Sequence, residues 1–289
     1  MATLELNLDD LKKHIGRRIV TTDVVTAAPA NLLSLTFDRP EPEFRAGEPL
    51  PPGWHILYFL PRFRPGDLSP DGAPIDTGVV PKIPLPRRMF AGERLTFHRP
   101  IRIGDAIRRE TELADISLKQ GGTGALVFAT ILSRIFTPEG LALEEERRTV
   151  FREEVKGGRN EAPKREPAPT DGPWQRRVEP DPVVLFRFSA LTFNSHRIHY
   201  DHVWATEKEG YPALVVHGPF TSTQLIDFAR DSNPGRTFAT YTTQARAPLF
   251  VNAPFELRGK PTADGRGADI CAVTPEGTVA MSAQVEFAR

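Results

Sequence analysis

Seven prolines fall between Pro61 and Pro86, in "PRFRPGDLSPDGAPIDTGVVPKIPLP". Proline fixes φ and has no amide hydrogen to donate, so this stretch can form neither a regular helix nor a central strand. It predicts a long surface excursion, and a loop of that length is uncommon unless it covers something. A second interruption, "KGGRNEAPKREPAPTDGPW" from Lys156, is charged, rich in proline and glycine and poor in apolar residues, which is linker composition. It divides the 289-residue chain near its middle, and that length suits two domains of ordinary size.

The halves on either side echo one another. "LLSLTFDRPEP" from Leu32 and "FSALTFNSHRI" from Phe188 share "LTF", followed by Asp38 in one and Asn194 in the other. "LTFHRPIRIGDAI" from Leu95 and "TQARAPLFVNAPF" from Thr243 each read as a strand, a proline at Pro100 or Pro248, and a second apolar strand. Both halves close on β-type runs, "GALVFATILSRIF" from Gly124 and "ADICAVTPEGTVAMSAQVEF" from Ala268. In the second half "HGPFTSTQLIDFARDSNPG" spaces Phe220, Leu225, Phe228 and Ala229 for a helix, with Pro219 tolerated in its first turn and "SNPG" as its stop. Its counterpart in the first half is "GWHILYFLP", shorter and ended by Pro61. Each half therefore reads as a helix followed by an antiparallel sheet.

Composition excludes several classes. Thirty-seven basic residues balance 37 acidic ones, so no global field draws the chain to nucleic acid or an anionic membrane. The single cysteine, Cys271, excludes an intramolecular disulfide and reads as a small buried apolar residue. The start, "MATLELNLDDLKKHIG", is acidic and too poor in apolar residues for a signal peptide, and no later stretch has the length of a membrane span. These features predict a cytoplasmic protein.

Chemistry concentrates in "SALTFNSHRIHYD", residues 189–201. His196 and His199 lie three residues apart and would share a face in a helical turn, beside Asn194, Arg197 and Asp201. A histidine near neutral pH can take a proton from water or return one, while a neighbour fixes its second ring nitrogen. The plainer alternative is a solvated polar turn; a metal site of His196, His199, Asp201 and His202 fits no defensible ligand spacing. A second candidate is "LVVHGPF", residues 214–220, where the side-chain-free Gly218 at a helix start would present its N–H to the oxyanion of a carbonyl. Arg87 and Arg88, where the proline-rich excursion ends, could hold a phosphate or a carboxylate, or serve as plain surface charge.

"FSALTFNSHRIHYD" followed by "YPALVVHGPF" resembles the MaoC-like hydratases and dehydratases, in particular hydroxyacyl-thioester dehydratase type 2 and the mesaconyl- and itaconyl-CoA hydratases. "GWHILYFLP" and "PLPRRMFAGERLTF" resemble the same subgroup, and the likeness runs from about His14 to the C-terminus. It implies an α+β double hot-dog fold, in which each of two repeats wraps an antiparallel sheet around a central helix. The domains would be a degenerate unit at 1–155, a linker at 156–182 and a catalytic unit at 183–289. It also implies an acyl-CoA or acyl carrier protein thioester substrate, no cofactor or metal, and a monomer or homodimer of such chains.

In that family an Asp and a His five residues later orient the water that adds across a trans-2-enoyl thioester. Carried over, the histidine is His199, the aspartate position is Asn194, and the carbonyl donor is the N–H of Gly218, with His196, Val216, His217, Arg87 and Arg88 as substrate contacts. Asn194 departs from the pattern, since an amide is no general base; Asp201 or His196 would have to supply what it lacks. The first half aligns with Asp38 in the acid position and Glu43 in that of the histidine. Neither half then holds the complete pair, which predicts one active site, in the second half.

Overall fold

The computed structural model describes residues 7–40, 43–121, 124–153 and 166–289. Its first half contains α1 (Leu8–Lys12), β1 (Arg18–Val24) and α2 (Ala27–Thr36), followed by β2 (Arg87–Phe97), β3 (Ala106–Gly121), β4 (Gly124–Thr137) and β5 (Gly140–Arg152). The second half contains β6 (Trp174–Val178), α3 (Pro182–Leu191), α4 (Gly218–Ser232), β7 (Phe238–Ala245), β8 (Phe255–Pro261), β9 (Gly267–Val273) and β10 (Val279–Phe287). All ten strands form one sheet in the order β1-β3-β4-β5-β2-β7-β10-β9-β8-β6. That order is a palindrome: each strand of the first half has its counterpart at the mirrored place in the second. The centre is the antiparallel pair β2 and β7, where Leu95 faces Tyr241. The fold is the α+β double hot-dog that the resemblance implies.

The helices follow from local chemistry. Asp181 caps α3, accepting from the Val183 and Val184 amides at 2.7 and 2.9 Å, and Pro182 takes the first helical position, where no hydrogen bond is lost. In α4 the four residues expected to face inward, Phe220, Leu225, Phe228 and Ala229, are all buried. The helix lies across the sheet as the spine of one continuous core, in which Leu33, Trp54 and Leu95 of the first half join Phe188, Phe220 and Tyr241 of the second. Phe37 stacks on Phe188 and meets Phe220 edge-on at 5.2 Å, which ties α2 to both helices of the second half.

The halves differ where the central helix should be. In the first half it is one 3₁₀ turn, Trp54–Leu57, entered through Gly53 with φ +83°. The proline-rich excursion does the remaining covering. Val79, Val80, Ile83 and Leu85 pack on Leu113, Ile116, Val127 and Ala129 of β3 and β4, a smaller second core. Val127, Ala129 and Ile135 alternate along β4, so the excursion and the 3₁₀ turn cover the same sheet face. A loop without hydrogen-bonded periodicity thus supplies the apolar surface a helix would otherwise bury.

Of the stretch expected to link the halves, residues 156–165 lie outside the described ones. Its later part includes β6, which pairs with β8 at the sheet's far edge, so residues 174–178 belong to the second sheet half rather than to a linker. Among the described residues no helix is long and apolar enough to cross a membrane. Cys271 is buried in β9.

Candidate active site

Three histidines converge between the end of α3 and the start of α4. His196 precedes the 3₁₀ turn Arg197–His199 as its N-cap residue, His199 ends that turn, and His217 is the N-cap residue of α4. The rings of His199 and His217 stack with centroids 3.7 Å apart, and His196 meets His199 edge-on at 5.5 Å. His217 is completely buried, and His196 and His199 nearly so. This is a dense grouping of imidazoles with little water around them.

Burial decides their protonation. His199 is pushed down to about 3, first by loss of solvent and then by His196, partly offset by the Val215 carbonyl. His196 is pushed down to about 4 by burial and by the nearby Arg88 guanidinium, with Asp71 opposing. His217 lies well below the ordinary histidine range, again from burial first. All three are neutral at pH 7, so each has one N–H and one free lone pair. His199 Nδ1 lies 2.7 Å from the Val215 carbonyl, which can only accept, so Nδ1 bears the proton and Nε2 the lone pair. His217 Nε2 is 2.8 Å from Ser189 Oγ on α3, and its Nδ1 is buried with no partner among the described residues.

Asn194 fixes the entry to this turn. Its side-chain oxygen accepts the His196 amide at 3.0 Å, an Asx turn that spends the acceptor locally. Phe193 before it has φ +49°, the left-handed residue that closes α3, and the Asn194 amide reaches back to the Ser189 carbonyl. The same closure ends α2, but there the left-handed residue is Asp38 and the returning amide is that of Arg39. The alignment of the two "LTF" sequences is therefore one residue out of step with the backbone. Asp38 occupies the place of Phe193, and Arg39 that of Asn194. Arg39 reaches α4 instead, where it pairs with Asp231 at 2.8 Å and lies 3.5 Å from the buried Asp227. Asp38 and Glu43 are both exposed.

Gly218 opens α4, in the first turn, where amides have no intrahelical acceptor. A Cβ on it would lie 2.7 Å from Phe90 Cδ1, so glycine is required for the close approach of β2. Phe90 precedes an irregularity in the β2–β5 register, between Phe90 and Gly92, and packs against the main core. The first half thus builds one wall of the site. Val216 is buried in that core, its amide bound to the Leu249 carbonyl.

Of the two arginines, Arg87 donates to the Glu209 carbonyl and lies over the Tyr211 ring, which holds the 209–211 turn. Arg88 is half-buried beside Asp71 and His196. Its guanidinium is lowered by burial, with Asp71 offsetting part of the loss, and among the described residues no side chain accepts a hydrogen bond from it. Asp201 is bound to Arg197 at 2.6 Å and accepts the Trp204 amide, so its carboxylate is already engaged.

Sequence reasoning missed three contributors: Phe90, Ser189 and the tip of the proline-rich excursion. That tip docks on the histidine turn. The Arg197 amide donates to the Asp71 carbonyl at 2.7 Å, Ser195 Oγ donates to the Gly72 carbonyl at 2.6 Å, and Arg197 Nη1 reaches the Pro70 carbonyl. Gly72 has φ +82°, and a Cβ there would lie 1.9 Å from the Ser195 carbonyl oxygen. "SPDGAP" carries a turn signal in the sequence, but nothing local indicates where that turn will land.

Comparison with known proteins agrees with this fold. The chain is 44% identical over 283 residues to a mesaconyl-C(4)-CoA hydratase of Chloroflexus aurantiacus, covering 96% of this chain and 98% of that one. It is 24% identical to the mitochondrial hydroxyacyl-thioester dehydratase type 2 of Schizosaccharomyces pombe, over 84% and 90% of the two chains. Among solved structures, a MaoC-like dehydratase from Phytophthora capsici superposes with TM-score 0.72 at 15% identity, over 98% of each chain. A Mycobacterium tuberculosis protein described as a double hot-dog gives 0.56 at 13% identity, over 96% and 97%. Residues 53–251 match the family described as hydroxyacyl-thioester dehydratase type 2. The chain belongs to that family, the acyl-thioester hydratases and dehydratases of hydroxyacyl-thioester dehydratase type 2.

Proposed function

We propose that the chain reversibly hydrates a short, branched dicarboxylic enoyl-CoA of the mesaconyl or itaconyl type. The observation that carries this reading is His199, whose Nδ1–H is held by the Val215 carbonyl so that Nε2 stays unprotonated close to the start of α4. In the proposed reaction Nε2 takes a proton from water as the water oxygen bonds to the β-carbon. The electron pair of the double bond moves toward the thioester oxygen, which the Gly218 N–H stabilises at the positive end of α4. The His199 proton then passes to the α-carbon, restoring the thioester and the neutral histidine. No net charge or proton is lost, so the cycle needs no co-reactant.

Two further features support the substrate class. Arg88 is a half-buried cation without a hydrogen-bonded partner among the described residues, which suits the free carboxylate of a dicarboxylic acyl chain. The 44% identity to a mesaconyl-C(4)-CoA hydratase supports the same class. Asn194 serves by fixing the turn that presents His196, and Val216, His217 and Arg87 by shaping the wall against which the acyl group lies. Coenzyme A as carrier, two units meeting before residue 174, a homodimer of such chains and a cytoplasmic location belong to the same proposal.

The test follows the absorbance of the conjugated enoyl thioester with crotonyl-, mesaconyl- and itaconyl-CoA. The expected result is fastest loss with a dicarboxylic substrate, a loss of about a hundredfold or more in His199→Ala, and a raised KM for that substrate alone in Arg88→Met. Turnover that instead rises with long saturated chains on acyl carrier protein would replace the dicarboxylic reading with a fatty-acid dehydratase.

A further inference from the structure

The family pattern places two acceptors on the attacking water, a carboxylate and a histidine, and here an amide stands at the carboxylate position. The structure supplies a carboxylate from elsewhere. Asp71, at the tip of the excursion from the first half, places Oδ2 3.5 Å from His196 Nε2. Its other oxygen, Oδ1, accepts from Ser69 Oγ and from the Ala73 amide at 2.9 Å, so the side chain is fixed from both ends of its own turn. The Asp71 carbonyl accepts the Arg197 amide next to His196, which locks the turn to the histidine segment. Asp71 and His196 are both largely shielded, with side-chain exposures of 16% and 11%.

We propose that Asp71 and His196 form the second water-holding unit of this site, replacing the carboxylate missing at Asn194. The inference rests on the hydratase reading given above. A carboxylate facing Nε2 favours the tautomer in which that nitrogen bears the hydrogen, which leaves the lone pair on His196 Nδ1. His199 Nε2 and His196 Nδ1 are then two imidazole acceptors on edge-to-face rings, one for each hydrogen of a single water. One acceptor takes the proton as the oxygen adds; the other aims the remaining O–H bond. Asp71 is a positioning residue that acts through His196, and His196 is the group that touches the water. Arg88 lies beside both.

The arrangement also gives the excursion a role in the chemistry: an element of the first half completes a reaction centre carried by the second. Glu209, whose Oε1 lies 3.9 Å from His196 Nε2, is the other carboxylate facing that ring, but the same oxygen accepts from Trp204 Nε1 at 2.9 Å. Among the described residues, Asp71 is then the carboxylate left to face the histidine.

Two measurements on full-length protein test this. Nitrogen-15 NMR of the histidine rings reads tautomers without any substrate: His196 should bear its proton on Nε2 in the native protein and shift to Nδ1 in Asp71→Asn. Steady-state hydration should show kcat lowered by about 10- to 100-fold in Asp71→Asn, with KM changed less than about threefold. Ser195→Ala, which loosens the docking of the turn and leaves the carboxylate in place, is the control and should cost less than a fifth of that. An unchanged His196 tautomer, or equal losses in Asp71→Asn and Ser195→Ala, overturns the inference. A native protein with the expected tautomers and no hydratase activity would refute the functional reading while leaving the Asp71–His196 pair standing.

Discussion

The two halves of this chain close their first long helix in the same way and then diverge. Both α2 and α3 end on a left-handed residue with φ +49°, and both return the next amide to a serine carbonyl. After α3 the chain presents Asn194, His196 and His199 beside a 15-residue helix. After α2 it presents Arg39, which points at α4, and then reaches a single 3₁₀ turn. The difference teaches that closure of the helix is a property of the fold, whereas the residues that follow are free to become either a reaction centre or a brace. In the first half they are a brace. Trp54 donates to buried Asp227 at 3.2 Å, and Arg39 adds its charge from the same side.

That contrast can be broken most directly at Gly218, where the halves touch. Gly218→Ala should lower kcat/KM by about a hundredfold, because the new methyl group displaces either Phe90 or the start of α4, which carries the proposed oxyanion donor. Adding Phe90→Gly, which removes the ring and also the Cβ that would lie 2.8 Å from the new methyl group, should recover at least a tenth of the native rate. A double variant no better than Gly218→Ala would show that the glycine serves the ligand and not the wall.

A smaller effect separates the halves by acid. The three site histidines are neutral when folded and titrate near the ordinary 6.5 when unfolded, so the unfolded chain binds more protons as pH falls. Their stabilising contribution is present above pH 6.5 and is lost from there down toward pH 4 and 3, by up to about 1.4 kcal/mol per pH unit for each group. Asp227 has the opposite sign: burial raises it to about 6, so its protonated form favours the fold and that contribution fades as pH rises from about 4 to 6. Thermal unfolding followed from pH 7 to 4.5 should show the midpoint falling with acid. His199→Ala should flatten that slope, and Asp227→Asn should steepen it. A native midpoint independent of pH would mean that the histidines are solvated.

The smallest effect is expected where the sequences looked most alike. Asp38→Asn and Glu43→Gln should leave kcat/KM within about twofold, since Asp38 is an exposed helix-closing residue whose backbone conformation asparagine also adopts. A tenfold loss in either would restore a catalytic role to the first half.

Most of the architecture was legible in the sequence because it rests on local chemistry. Proline density marked the excursion, Phe220, Leu225, Phe228 and Ala229 marked α4, and alternation marked the closing strands. The shortened helix of the first half was legible in the same way, from the proline that ends "GWHILYFLP". What was not legible depended on tertiary contacts. The one-residue slip between Asp38 and Asn194 arises because identical triplets meet the ends of their helices at different points, which identity alone does not register. Asp71 lies 125 positions before His196, inside a turn whose composition says only that it bends. Phe90 read as an ordinary strand residue, since only the approach of Gly218 makes it part of the site.

The antiparallel seam between β2 and β7 joins two like units within one polypeptide, and this releases them from a constraint that binds separate copies. In an assembly of identical subunits every substitution is made twice, so a brace cannot be installed on one side without erasing the reaction centre on the other. Here a change such as arginine at the place of Asn194 falls on one unit alone. The fused seam is what permits one unit to lend a loop and a wall while its sister carries the proposed reaction centre.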